Sequence, residues 1–167
     1  MPNVRFQRFI EHEEENKMTK NAFIGTWKLV SFELRCAEIN QVSYPFGEDA
    51  TGYMRYTEDG YVFVSLMAAN RFKFIEAPQS RLGDTQIRNV EEVIAAFCTH
   101  FSCCAQYEIQ GEKIVHHVNS SSFPDWVGLP QERFFEFKND ELSLSTTPAM
   151  IGSRQRIAHI TWQRLSV

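Results

Sequence analysis

The segment HHVNSSSFPDWVG, beginning at His116, places two adjacent histidines, three consecutive serines and an aspartate in one short run. Histidine with serine and a carboxylate is the inventory of a nucleophilic hydrolase, and paired histidines are the inventory of a metal site. The spacing supports neither chemistry. Neighbours on a strand point to opposite faces, so His116 and His117 make poor joint ligands. His12, His100 and His159 add no useful spacing. Ser120, Ser121 and Ser122 lack a G-x-S-x-G elbow, and a strand offers no helix N-terminus to an oxyanion. The cysteines Cys36, Cys98, Cys103 and Cys104 follow no zinc pattern and read as reduced thiols. No metal and no cofactor is expected. Cys103 beside His116 is the one thiol–imidazole pair, and its default is a small buried hydrophobe.

The elements that must position these residues are mostly strands. From Phe23 the pattern has period 2, and FIGTWKLVSFELR puts Trp27, Leu29 and Ser31 on one face. YPFGED is a turn. TGYMRYTEDGYVFVSLMA is a hairpin about EDG, with Gly60 free to take positive φ. NVEEVIAAFCTHF is a helix, with acids in its first turn and Val90, Val93, Ile94 and Phe97 along one side. Strands then return: a hairpin turning near Gln110 and Gly111, a second turning at Asn139 and Asp140, and a last run, RQRIAHITWQRL. Nothing alternates strand with helix, so the sheet is antiparallel. About eight such strands close best as an all-β up-and-down barrel with one helix packed outside, which removes the sheet edges. Residues 1–20 are read as an N-terminal extension, with Phe6, Phe9 and Ile10 at helical spacing, and residues 21–167 as the barrel domain.

GTWKLVSF, YPFGEDATGYMRYTEDGY, HHVNSSSFPDWVGLPQERFFEF and ITWQR, in that order from Phe23 to Arg164, resemble the lipocalin-like domain family of small bacterial and fungal proteins. The resemblance implies a lipocalin-type barrel with an internal cavity and no single agreed activity. It also implies that Trp27 closes one end with Arg164 across its ring, a guanidinium–indole contact of roughly 0.5–2 kcal/mol. Cys103, Ala105 and Asp125 depart from the family's usual residues, so ligand identity does not carry over.

Alternation assigns the inward faces. In RFFEFK, Arg133, Phe135 and Phe137 share a face; Leu142, Leu144 and Thr146 face inward on the next strand. Pairing Tyr107 with Ile114 across the Gln110–Gly111 turn puts His116, Val118 and Ser120 inside with Cys103, and His117 outside. The candidate ligand-binding set is therefore Tyr107, His116, Arg133, Gln131, Phe135, Ser31 and Trp126. An apolar wall supplies affinity, and a few polar groups fix orientation. Arg133 suits a carboxylate or enolate oxygen, and His116 either holds the ligand or, in an enzyme, moves a proton. The plain alternatives are an Arg133 neutralised by Glu33 and a His116 hydrogen-bonded to a tyrosine. Phe123 and Trp126, between Pro124 and Pro130, read as a plug or lid on the barrel mouth.

The chain has 167 residues, enough for one domain with one core. Its 17 basic residues are scattered and its net charge is −4, so no nucleic-acid footprint is present. No run approaches the roughly 18 apolar residues of a membrane span, and the N-terminus lacks signal-peptide character. The expectation is a cytoplasmic monomer or small homo-oligomer that binds a small apolar molecule, as carrier or sensor. Two alternatives stand beside it: a cofactor-independent isomerase or cyclase, and a structural or protein-interaction barrel whose interior is filled by phenylalanines.

Overall fold

A computed structural model describes residues 18–72 and 90–166. The amphipathic spacing at Phe6, Phe9 and Ile10 lies outside them. A short helix, α1, occupies residues 18–23. It is followed by β1 (Gly25–Cys36), β2 (Gln41–Ser43), β3 (Thr51–Tyr56), β4 (Tyr61–Met67), α2 (Val90–Cys98), β5 (His100–Gln110), β6 (Lys113–Ser121), β7 (Pro130–Lys138), β8 (Glu141–Ser145), β9 (Ala149–Ile151) and β10 (Arg154–Arg164).

Sequential antiparallel pairing runs β1-β3-β4-β5-β6-β7-β8-β10, and β10 pairs back onto β1. Eight strands thus close into the expected barrel. β2 and β9, which the sequence did not suggest, are short ribbons on the far ends of β1 and β10. Closure leaves none of the eight long strands with an unpaired edge.

Alternation fills the interior. Trp27, Leu29, Met54, Tyr56, Val62, Leu66, Ala105, Tyr107, Ile114, Val118, Leu142, Leu144 and Trp162 form one buried cluster with Phe23. On β7 every second residue is partly buried: Gln131, Arg133, Phe135 and Phe137 face in, while Glu132, Phe134 and Glu136 face out.

Three local departures follow from backbone irregularity. The β5–β6 turn sits at Gly111 and Glu112, one residue later than expected, with Gly111 at φ +60°. Tyr107 therefore pairs with His116, not Ile114. That slip moves the register by two, so every side chain keeps its face. A bulge between Leu29 and Ser31 does reverse a face. Ser31 pairs with Thr161, which is outward by alternation from Ile160 and Trp162, while Phe32 turns to the core. A second bulge falls beyond Cys104, where Ala105 pairs with Val118 but Cys104 with Ser120. Ser121, not Ser120, consequently shares the face of Cys103. α2 is shorter than its sequence pattern, because Phe101 begins the inward alternation of β5. Its apolar stripe stays in solvent, with Val90, Val93, Ile94 and Phe97 all exposed. Among the described residues, no helix is long and apolar enough to cross a membrane.

Candidate functional site

The two ends of the barrel are built differently. At one end α1 forms a floor. Phe23 is fully buried and meets Tyr56, Phe135 and Phe137 edge-on at 4.8–5.1 Å. The Trp27 indole N–H donates to the Phe23 carbonyl at 2.8 Å. Arg164 lies 4.1 Å from the Trp27 ring centroid and donates to the carbonyls of Ile24 and Ala22. Gly25, at φ +136°, leaves room for it: a Cβ there would stand 2.9 Å from the guanidinium. This end is solid with rings.

The other end carries the 3₁₀ turn Pro124–Trp126. Pro124 stiffens the turn, and Trp126 folds back over the opening. It meets Phe101 at 5.2 Å and Phe123 at 6.0 Å, both edge-on. The Arg133 guanidinium lies 5.6 Å from its ring centroid. Beneath this cap lie the inward residues Val64, Phe101, Cys103, Gln131 and Arg133, each partly buried, as are Phe135 and Phe137 of the floor.

Between cap and floor sits a polar cluster. His116 is the one buried polar residue among those described, and its Nε2 lies 2.8 Å from the Tyr56 hydroxyl. Desolvation, with the nearby positive charge of Arg133 and a smaller contribution from His117, pushes the His116 pKa down to about 3, so the ring is neutral. Burial holds the Tyr56 phenol well above its ordinary range. Burial likewise pushes the Cys103 thiol up to about 11, against the lowering influence of Arg133, so Cys103 is no thiolate nucleophile. Arg133 is the charged member. Its Nη1 donates to the Glu132 carbonyl at 2.7 Å, and desolvation lowers its pKa against opposing contributions from Tyr56 and Cys103.

Arg133 meets no carboxylate among the described residues. Glu33, the acid expected to neutralise it, instead bonds Arg35 at 2.8 Å. Glu132 is taken by Lys113 at 2.7 Å and Glu108 by His117 at 3.1 Å. His117 is thus an outer residue.

Of the candidate set, the structure brings together His116, Arg133 and Trp126, with Gln131 paired opposite His116. Tyr107 is inside, but its hydroxyl points to the floor and donates to the Thr57 carbonyl at 3.0 Å. Phe135 belongs to the floor. Ser31 leaves the set at its bulge. Tyr56 was missed, although TGYMRY alternates cleanly and places Gly52, Met54 and Tyr56 on the inner face. No group of three potential metal ligands occurs among the described residues. A groove of about 630 Å³ opens across β3–β6. Most of its lining, including Tyr53, Arg55, Phe63, Ser65 and Cys104, faces outward, while Met54, Val64 and Cys103 line it from the inward-facing set.

A closed eight-stranded antiparallel barrel with a ring-packed floor, an aromatic turn at the other end and a few inward polar groups has the architecture of a lipocalin-type barrel. The lipocalin-like domain family matches residues 24–165, and the chain belongs to it. Among curated proteins it is similar to the 4'-hydroxy-3'-methoxypropiophenone carrier protein of Aspergillus oryzae, with 37% identity over 62 residues. That match covers 36% of this chain and 56% of the relative, so it spans little more than half of that protein. Among solved structures a redesigned β-barrel aligns over 88% of this chain and 95% of its own, at 10% identity and a TM-score of 0.40.

Proposed function

We propose that the barrel binds a small, largely apolar aromatic compound carrying an oxygen acceptor, and carries it without transforming it. The observation that bears most on this is the division of the interior. The floor is packed with rings, whereas at the mouth end an inward guanidinium lies beside Trp126 with no acid partner among the described residues. Phe101 and Trp126 supply apolar walls, while Arg133, His116 and Tyr56 supply orientation. The related carrier protein supports the same reading, since its named cargo is an aryl ketone.

The isomerase or cyclase reading needs a base or acid that titrates near neutrality. His116, with its pKa near 3, is neutral and spent on Tyr56. The cluster is built to hold a guest, not to move its protons through His116.

The test is a titration with 4'-hydroxy-3'-methoxypropiophenone, read by tryptophan emission. Trp27 and Trp162 are sealed in the core, so Trp126 is the reporter that a ligand in the mouth half quenches. Saturable quenching that disappears in Trp126→Phe, with the compound recovered unchanged, is the expected result. No saturable signal, together with no ligand-induced rise in Tm, refutes the proposal.

A further inference from the structure

The charge balance of the mouth half says more about the guest. Among the described residues, the titratable groups facing the Arg133 guanidinium are neutral: the Tyr56 phenol from β3, the Cys103 thiol from β5 and the His116 imidazole from β6. Glu132, the neighbour of Arg133 in sequence, is paired with Lys113, and Glu33, the acid considered for it, is paired with Arg35. The one hydrogen bond of the guanidinium among the described residues runs from Nη1 to the carbonyl of its own neighbour, which leaves Nε and Nη2 without a protein acceptor there. A cation so placed favours an anion over a neutral oxygen, because a charge-assisted hydrogen bond is stronger than a neutral one.

From this arrangement we infer that the barrel takes its ligand as an oxyanion, an acylphenol being bound as the phenolate against Arg133. The inference rests on the carrier reading above. On binding, the phenolic O–H bond breaks, its electron pair stays on oxygen, and the proton leaves to solvent water. His116 does not keep it, being hydrogen-bonded to Tyr56. The conjugated carbonyl already makes such a phenol more acidic than a tyrosine side chain, so the charge at Arg133 decides its state near neutrality. Desolvation under Trp126 opposes ionisation, and the adjacent guanidinium outweighs it.

The experiment follows the absorbance of 4'-hydroxy-3'-methoxypropiophenone against pH, free and with saturating protein, since the phenolate absorbs at longer wavelength. The midpoint of the bound compound is expected about one to three pH units below that of the free compound. Arg133→Lys keeps a lowered midpoint, and Arg133→Met returns it to the free value or higher. In parallel, 3',4'-dimethoxypropiophenone, which has no phenolic proton, binds the unaltered protein at least about tenfold more weakly. A bound compound whose midpoint is unshifted or raised overturns the oxyanion inference and leaves the carrier reading intact. Equal affinity for the two compounds does the same and needs no variant, so a failure of Arg133→Met to fold does not shield the idea. Failure of both compounds to bind overturns both proposals.

Discussion

His116 makes the stability of this barrel depend on pH in a calculable way. Folded, its pKa is about 3, because burial, the Arg133 guanidinium and His117 next to it disfavour the imidazolium. Unfolded, it returns to about 6.5. Between those values the unfolded chain binds the extra proton, so stability rises with pH. The stabilisation is complete above the unfolded pKa and is lost as pH falls from there towards the folded value. Well inside the window the loss is about 1.4 kcal/mol per pH unit. Integrated from about pH 7 to about pH 4.5, His116 alone costs about 2.5 kcal/mol, a large fraction of a typical domain's stability. The assay is urea unfolding at a series of pH values, compared between the wild type and His116→Gln. Glutamine cannot ionise but can still meet the Tyr56 hydroxyl. Contributions from His100, His159 and the carboxylates are common to both proteins and cancel in the difference. The expected outcome is a gap between the two proteins that narrows by about 2.5 kcal/mol across that range. Parallel curves, or an NMR titration of His116 near neutrality in the folded protein, refute the reasoning.

Three further outcomes follow from single contacts. Tyr56→Phe strips the partner from the buried His116 Nε2 and is expected to cost about 1–3 kcal/mol by denaturant unfolding. Gly52→Ala puts a Cβ 2.6 Å from the Ser65 carbonyl oxygen and 2.8 Å from the Leu66 Cα. The obstacle is backbone of the paired strand, so the expected loss is at the upper end of the roughly 1–3 kcal/mol seen for overpacking, read as a fall in Tm. Arg164→Lys keeps the charge but loses the planar fork that reaches two carbonyls and stacks on Trp27, and should destabilise by about 2 kcal/mol in urea.

What the sequence made legible, and what it hid, follows from the physics of strands. Alternation on β7 was readable because no bulge interrupts it, so Arg133, Phe135 and Phe137 fall inside as their spacing says. On β1 and β6 one extra residue reverses everything beyond it, and no side-chain pattern announces where that residue sits. This is why Ser31 and Ser120 were placed on the wrong face. The misjudged turn at Gly111 did no harm, because its error in register was even. The helix shows a different limit. Its 3.6-residue periodicity specified an apolar stripe but not what covers it, and Val90, Val93, Ile94 and Phe97 remain exposed. Tyr56 was within reach of the same alternation argument that found His116. The absence of an acid at Arg133 was not, since pairing depends on which strands curl together.

The seam between β1 and β10 also sets when this molecule can be finished. Arg164 bonds to Ile24, 140 positions earlier, and β10 zips along β1 from Trp27 to Arg35. During synthesis β1 therefore waits with one edge bare until β10 has emerged. Loop closure over such a span is entropically demanding, and barrels of this kind fold slowly for that reason. A ribosome stalled before residue 154 releases a curled ribbon with two sticky margins, β1 and β8, instead of a cylinder. Quality control that recognises exposed strand edges has a clear signal here: the sheet is safe from its neighbours only after its final eleven-residue strand has docked.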